Sequence, residues 1–270
     1  MKVITFLNEK GGVGKTTLAS ILAAGLALDN QRVLVIDADG QADATNAMGL
    51  DEQPHFYDFV MRPALPIFNK DMPEASLIRR VPPDTCPAAL YVVSGNYETY
   101  GIASSSHTKD LAQALVKRLA AVRDVFDVVI VDTQPSPTPL HEAVLMMSDF
   151  VIVPTQVENF STKNLATTVL HIDDARERMM TAGVDKARLL GIVPNMVRER
   201  TILHQEFLDG LIEDYGDLVM SPVPLRTNIA TAQAIGTFTM HDAPKLETNK
   251  SLWAYIDEIV ERLATKGVKL

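Results

Sequence analysis

The sequence predicts an α/β protein, a single domain built on a mostly parallel, twisted β-sheet with helices on both faces. Three observations carry this. Short β-branched apolar runs alternate with segments of helical periodicity, the pattern of strands buried on both faces and joined by helical crossovers. The 270 residues are 47% hydrophobic and 22% charged, enough to bury one large core. No internal repeat or low-complexity tail divides residues 1–270.

In chain order the expected strands are KVITFL (2–7), RVLVID (32–37), LYVV (90–93), DVVIVD (127–132), FVIVPT (150–155) and ARLLGIVPN (187–195). Each is a short continuous apolar run bounded by polar or turn residues. Helical periodicity falls between them, at roughly 15–29, 109–122, 139–147, 161–181 and 201–215. Residues 51–88 break the rhythm with Pro54, Pro63, Pro66, Pro73, Pro82, Pro83 and Pro87, and read as an irregular, proline-rich surface excursion with two short helices. Near the end, SLWAYIDEIVERLA (251–264) places Leu252, Ile256, Ile259, Val260 and Leu263 on one helical face. Asp257, Glu258 and Glu261 on the polar side would be repelled by anionic lipid, so this helix is expected to pack on the core.

Composition narrows the chemistry. A single cysteine, Cys86, excludes a disulfide framework and multi-cysteine zinc or iron–sulfur chemistry, and a cytoplasmic location is expected. The first apolar run meets Asn8 and Glu9 too soon for a signal peptide, and LASILAAGLAL (18–28) is well short of a bilayer span. A net charge of −9 argues against a protein that coats nucleic acid over its whole surface, so any DNA contact must come from a local patch. The six histidines show no metal spacing; His107, His141 and His204 read as surface or helix residues.

The stretch NEKGGVGKTT (8–17) lies between the first strand and the first helix, the context a phosphate-binding loop requires. Gly11, Gly12, Val13 and Gly14 supply backbone amides that can turn around phosphate oxygens, and the helix N-terminus adds partial positive charge. Lys15 would neutralise phosphate, the Thr16 hydroxyl would ligate Mg²⁺, and Thr17 completes the run. The general pattern G-x-x-x-x-G-K-S/T would put glycine at position 9, where this chain has Glu9 followed by Lys10. This departure resembles the deviant Walker A loop, K-G-G-x-G-K-S/T, of the ParA/MinD family of P-loop ATPases. The resemblance implies ATP and Mg²⁺ as cofactors. It also implies a homodimer in the ATP state, in which Lys10 reaches the nucleotide of the other subunit and acts as an arginine finger does.

Further motifs extend the resemblance. VLVIDADGQADATNAMGL (33–50) is similar to the family's D-x-D segment, with Gln41 and Thr45 where plasmid-partition members often have Gln and Thr. It implies that Asp39 orients the attacking water and Asp37 helps hold the Mg²⁺ shell; capping of the next helix is plausible for Asp43 but less so for Asp37 and Asp39 at the carboxyl end of a strand. DVVIVDTQPSP (127–137) is similar to the Walker B strand and implies Asp132 as a Mg²⁺ ligand, with Gln134 where members often have proline. GIVPNMVRERT (191–201) and SPVPLRTNIATAQAIG (221–236) are similar to late segments in which Asn195, Met196, Pro222, Val223 and Pro224 would pinch adenine. Ordinary strand-end turn chemistry explains those residues about as well.

The chain opens on its first strand, so the short ParA type, without a leading helix-turn-helix, is the expected branch. For such proteins the resemblance implies a switch. ATP joins two subunits, the dimer rides non-specifically on nucleoid DNA, and a ParB-like or cargo-adaptor partner stimulates hydrolysis and release. Arg198, Arg200, Arg226, Lys245 and Lys250 are the candidate DNA contacts, although a family arginine falls on Asn228 here. Two alternatives stay open: a MinD-like membrane-site ATPase, for which KGVKL (266–270) is a thin substitute for a basic amphipathic helix, and an ATP-dependent ligase of the dethiobiotin-synthetase type.

Overall fold

A computed structural model describes residues 1–50, 55–62, 64–65, 67–68, 76–86, 88–104, 108–157, 161–198, 201–225 and 250–270. The strands are β1 (Lys2–Phe6), β2 (Val33–Ala38), β3 (Arg79–Arg80), β4 (Leu90–Val93), β5 (Val128–Thr133), β6 (Phe150–Gln156) and β7 (Arg188–Asn195). They form one seven-stranded sheet in the order β3-β4-β2-β5-β1-β6-β7. Every pairing is parallel except β3 against β4. The helices are α1 (Lys15–Leu28), α2 (Asp43–Ala47), α3 (Phe56–Met61), α4 (Thr99–Ala103), α5 (Thr108–Ala120), α6 (Pro139–Met147), α7 (Ser161–Thr181), α8 (Ile202–Tyr215) and α9 (Lys250–Thr265).

Strand alternation divides the core. Ile4, Phe6, Val33, Val35, Val128 and Ile130 face α1 and α9, whereas Val3, Leu34, Ile36, Val129 and Val131 face the side covered by α3, α5 and α6. Because both faces are covered, the central strands read as unbroken apolar runs. α1 is apolar nearly all round, as a helix between a sheet and a second helix must be: Leu18, Leu22 and Leu26 are buried, and the buried Tyr255 of α9 donates its hydroxyl to the Leu18 carbonyl at 3.4 Å. The apolar stripe of α9 (Leu252, Ile256, Ile259, Leu263) is therefore spent on the core.

The excursion expected at the surface is partly core. Phe56, Phe59, Val60, Leu77 and Ile78 pack in the cluster under α5, and Val81 and Cys86 are buried beside α1. Arg118, 6% exposed, fastens this segment by donating to the carbonyls of Phe59 at 2.7 Å and Leu65 at 3.3 Å, and to that of Arg62. A guanidinium can satisfy several helix-end carbonyls at once, which a sequence scan for prolines does not reveal. Two further short helices, α2 and α4, and the antiparallel edge strand β3 are too short to leave a periodic signal.

Candidate nucleotide-binding site

The connection from β1 runs to β2 on one side, and that from β5 to β6 on the other side of β1, so the loops at their carboxyl ends open a crevice. β1, β2 and β5 each end there in register, with Phe6 opposite Asp132 and Asp132 opposite Asp37. The crevice holds about 280 Å³ and is lined by Gly11, Gly12, Gly14, Lys15, Thr16, Thr17, Asp39, Gln41, Asp43, Pro135 and Met196.

Glycine is needed in the loop at two positions. Gly12 has φ 76° and Gly14, which precedes α1, has φ 89°, both in the left-handed region. At Gly14 a Cβ would also lie 2.1 Å from Asn195 Nδ2. Asn8 braces the start of the loop, donating to the Pro154 carbonyl at 2.7 Å and accepting from the Lys10 amide at 2.8 Å. Glu9 is drawn toward α7, its amide donating to Thr168 Oγ1 at 3.4 Å and its carboxylate meeting His171 Nδ1. Lys15 is 6% exposed, with Nζ donating to the carbonyls of Asn8 at 3.0 Å and Lys10 at 3.3 Å. Burial lowers its pKa, and the charges of Asp132 and Asp39 oppose that shift. Phosphate oxygens in the crevice would offer this ammonium better acceptors than two neutral carbonyls.

The three aspartates have different surroundings. Asp132 accepts from Thr16 Oγ1 at 2.7 Å through Oδ2, and its buried Oδ1 has no hydrogen-bond partner. Burial first, then the charge of Asp37, raises its pKa well above the ordinary carboxylate range. An orphaned buried oxygen beside a threonine hydroxyl fits a hard cation, and this pair would hold Mg²⁺ with phosphate and water completing the shell. Among the described residues no group of three or more His, Cys, Asp and Glu side chains could hold a metal ion. Asp37 is fully buried and already engaged: Oδ2 accepts from the Thr45 amide at 2.8 Å and hydroxyl at 2.7 Å, and Oδ1 from the Asp39 amide at 3.2 Å. Burial pushes its pKa up to about 6 against those hydrogen bonds. Its geometry is that of a brace for the Asp39 loop as much as of a ligand to the Mg²⁺ shell. Asp39 lines the crevice near Lys15, its Oδ1 accepting from the Gln41 amide at 2.9 Å. Burial raises its pKa as well.

The late segment also reaches the loop. Asn195 Nδ2 donates to the Val13 carbonyl at 2.9 Å and Oδ1 accepts the Met196 amide at 2.9 Å, so this amide is committed to holding the phosphate loop. Met196 lines the crevice with φ 56°. The Val223 side chain is in the core, and its amide donates to the Pro194 carbonyl at 2.8 Å. Pro222 is exposed, and Pro224 bridges to Val197. Arg198 and Lys250 are exposed, Lys250 at the start of α9. Arg200, Arg226, Asn228 and Lys245 lie outside the described residues, as does His107.

A larger cavity of about 510 Å³ lies behind the loop between α6 and α7, touching Glu9 and His171 but none of the loop glycines or Lys15. Its inner wall includes His141, a helix residue as expected but only 5% exposed. Nε2 meets the Gln134 carbonyl at 2.7 Å; a carbonyl only accepts, so Nε2 carries the proton. Burial lowers the His141 pKa to about 4. The folded pKa is below the unfolded value of 6.5, so the unfolded chain binds the extra proton first, and this contribution is lost as pH falls from about 6.5 to about 4. Relative to a His141→Gln variant, the wild type should lose on the order of 3 kcal/mol across that window, read from urea midpoints at pH 7 and pH 4.5. Parallel midpoints for the two proteins would contradict a buried, neutral His141.

Two contributors to the site carry weak signals or none in the sequence. Gly95, just after β4, passes so near the Asp37 carboxylate that a Cβ would lie 2.7 Å from its Cγ; a lone glycine after a strand is the only hint of that approach. Tyr100, on α4, donates nothing to any motif yet touches the loop after β2.

Comparison with known proteins bears on the family and the fold. A family model described as "AAA domain" matches residues 1–182. The chain is 28% identical to the chromosome-partitioning ATPase Soj of Thermus thermophilus over 263 residues, 96% of each chain. Apo McdA of Cyanthece superposes with a TM-score of 0.76 at 18% identity, covering 97% of this chain and 99% of that one. Cobyrinic acid a,c-diamide synthase from Mycobacterium smegmatis, with bound ADP and magnesium, superposes with a TM-score of 0.75 at 22% identity, covering 100% and 97%. At those identities the two structures show a shared fold and no more. With its loop, its acidic strand ends and the match over residues 1–182, the chain belongs to the AAA-domain family, among the ParA/MinD-type P-loop ATPases.

Proposed function

We propose that this protein is an ATP-driven dimerising switch that partitions DNA or positions an intracellular cargo. The observation that carries the reading is Lys10. It stands immediately before the glycines, its backbone fixed by Asn8, while Lys15 occupies the ordinary phosphate-neutralising position. One loop has no need of two lysines for one nucleotide, and a cation supplied across a two-fold interface would complete the charge stabilisation of phosphoryl transfer. The crevice of about 280 Å³ lies just under the usual range for a ligand site, and a second subunit closing over it would complete the enclosure.

In this reading the loop amides, Lys15, Thr16 and Asp132 hold Mg-ATP, and Asp39 orients the attacking water. Bound magnesium supplies charge neutralisation between the phosphates. The ATP dimer doubles whatever basic patch one chain presents, so a weak DNA contact becomes useful by avidity. Partner-stimulated hydrolysis then returns monomers. Similarity to a Soj protein named for chromosome partitioning supports this use of the switch.

Asp39→Ala should retain ATP and accumulate as a dimer that binds random-sequence duplex DNA. Binding should require ATP, fail with ADP, and weaken steeply across a salt series from 50 to 200 mM. Absence of binding at the lowest salt, with ATP bound, would remove the DNA-riding reading. A MinD-like membrane-site ATPase and an ATP-dependent ligase of the dethiobiotin-synthetase type then come to the front, to be tested with anionic liposomes and small-molecule substrates. A membrane-anchoring α9 is disfavoured because its apolar face is buried against α1. Among the described residues no helix is long and apolar enough to cross a membrane.

A further inference from the structure

The loop that carries Asp39 is held from outside by a side chain that belongs to no nucleotide-binding motif. Gly40 lies so close to the Tyr100 ring that a Cβ there would sit 2.4 Å from Cε2 and 2.6 Å from Cδ2 and Cζ. Gln41 is tied at both ends: its side-chain Nε2 donates to the Tyr100 hydroxyl at 2.6 Å, and its backbone amide to Asp39 Oδ1 at 2.9 Å. Ala42 follows at φ 57°, a left-handed conformation that a non-glycine residue keeps only when its surroundings impose it. Tyr100 is itself placed by the segment that starts at Gly95, whose backbone crosses the Asp37 carboxylate, and the Tyr97 ring packs edge-on against it at 5.7 Å.

We propose that Tyr100 is a positioning residue for Asp39: its ring seats the Gly40 peptide and its hydroxyl holds Gln41, so the Asp39 carboxylate is fixed at the wall of the crevice. This rests on the reading of Asp39 as the water-orienting group. Without the ring, the loop would keep its Asp37 and Thr45 braces but lose the contact on its outer side. The carboxylate would then sample positions from which it cannot align a water. Misplacement of a catalytic group by about 1 Å costs on the order of a hundredfold in rate, while the loop glycines, Lys15 and Thr16 that bind ATP are untouched.

The test uses the full chain and single-turnover ATP hydrolysis with protein in excess, for Tyr100→Phe, Tyr100→Ala, Asp39→Ala and the Tyr100→Ala, Asp39→Ala double variant. Tyr100→Ala should lower the rate at saturating Mg-ATP at least about tenfold and leave the half-saturating concentration within about twofold. Tyr100→Phe, which keeps the ring against Gly40 and removes only the hydroxyl that holds Gln41, should show a smaller loss of the same kind. Adding Tyr100→Ala to Asp39→Ala should cost nothing further, because the two act on one step. An unchanged rate in Tyr100→Ala, a loss confined to nucleotide affinity, or a full additional loss on the Asp39→Ala background would each overturn the proposal. Wild-type hydrolysis by Asp39→Ala would instead overturn the role of Asp39 itself, and with it the premise.

Discussion

Gly14→Ala should lose measurable affinity for Mg-ATP while remaining folded. Two independent costs meet at this position. The residue has φ 89° immediately before α1, where an L side chain is strained by about 1–2 kcal/mol. The added methyl would also lie 2.1 Å from Asn195 Nδ2, so Asn195 must abandon the Val13 carbonyl or the loop must move. Either response reorients the amides that face the crevice. The core under α1 is remote from the change, since Leu18, Leu22 and Leu26 pack on the sheet. We expect at least a hundredfold weaker binding of a fluorescent ATP analogue, with a thermal midpoint only a few degrees lower. Near wild-type affinity would mean that these amides do not cradle the phosphates.

Lys10→Ala should bind Mg-ATP normally and yet lose about a thousandfold of partner-stimulated hydrolysis, the scale associated with a finger cation. In the proposed switch the two lysines have separate tasks. Lys15 is buried and points its ammonium at the carbonyls of Asn8 and Lys10 within its own loop. Lys10 is backbone-braced by Asn8. A mixing experiment decides whether it acts in trans. In a mixed dimer of Lys10→Ala with Asp39→Ala, the Lys10→Ala subunit keeps its own Asp39 and would receive Lys10 from its partner. Restored hydrolysis on mixing is therefore expected. If Lys10 served its own subunit, neither site of the mixed dimer would be complete and the mixture would stay inactive.

The central strands and the long helices were legible because their signals are local. β5 reads VVIVDT and is buried along its whole length, and the periodic segments at 15–29 and 139–147 became α1 and α6. The phosphate loop was legible for the same reason: its glycines, its lysine and its following helix are contiguous. His141 was not, since a histidine in an apolar helix reads alike whether buried or exposed, and its burial depends on how α6 packs. Nor was the core role of α3, whose Phe56 and Phe59 sit among prolines that read as surface loop.

The sequence by itself determined the phosphate loop, the strand–helix alternation and the aspartates that close β2 and β5, because each is a pattern within a few consecutive residues. Only the tertiary structure decided the strand order β3-β4-β2-β5-β1-β6-β7, the register that sets Asp37 opposite Asp132, and the grip of Asn195 on Val13. It alone set Tyr100 against Gly40. Those contacts join residues from about 60 to about 180 positions apart, and crossover connections, not local propensity, bring such residues together.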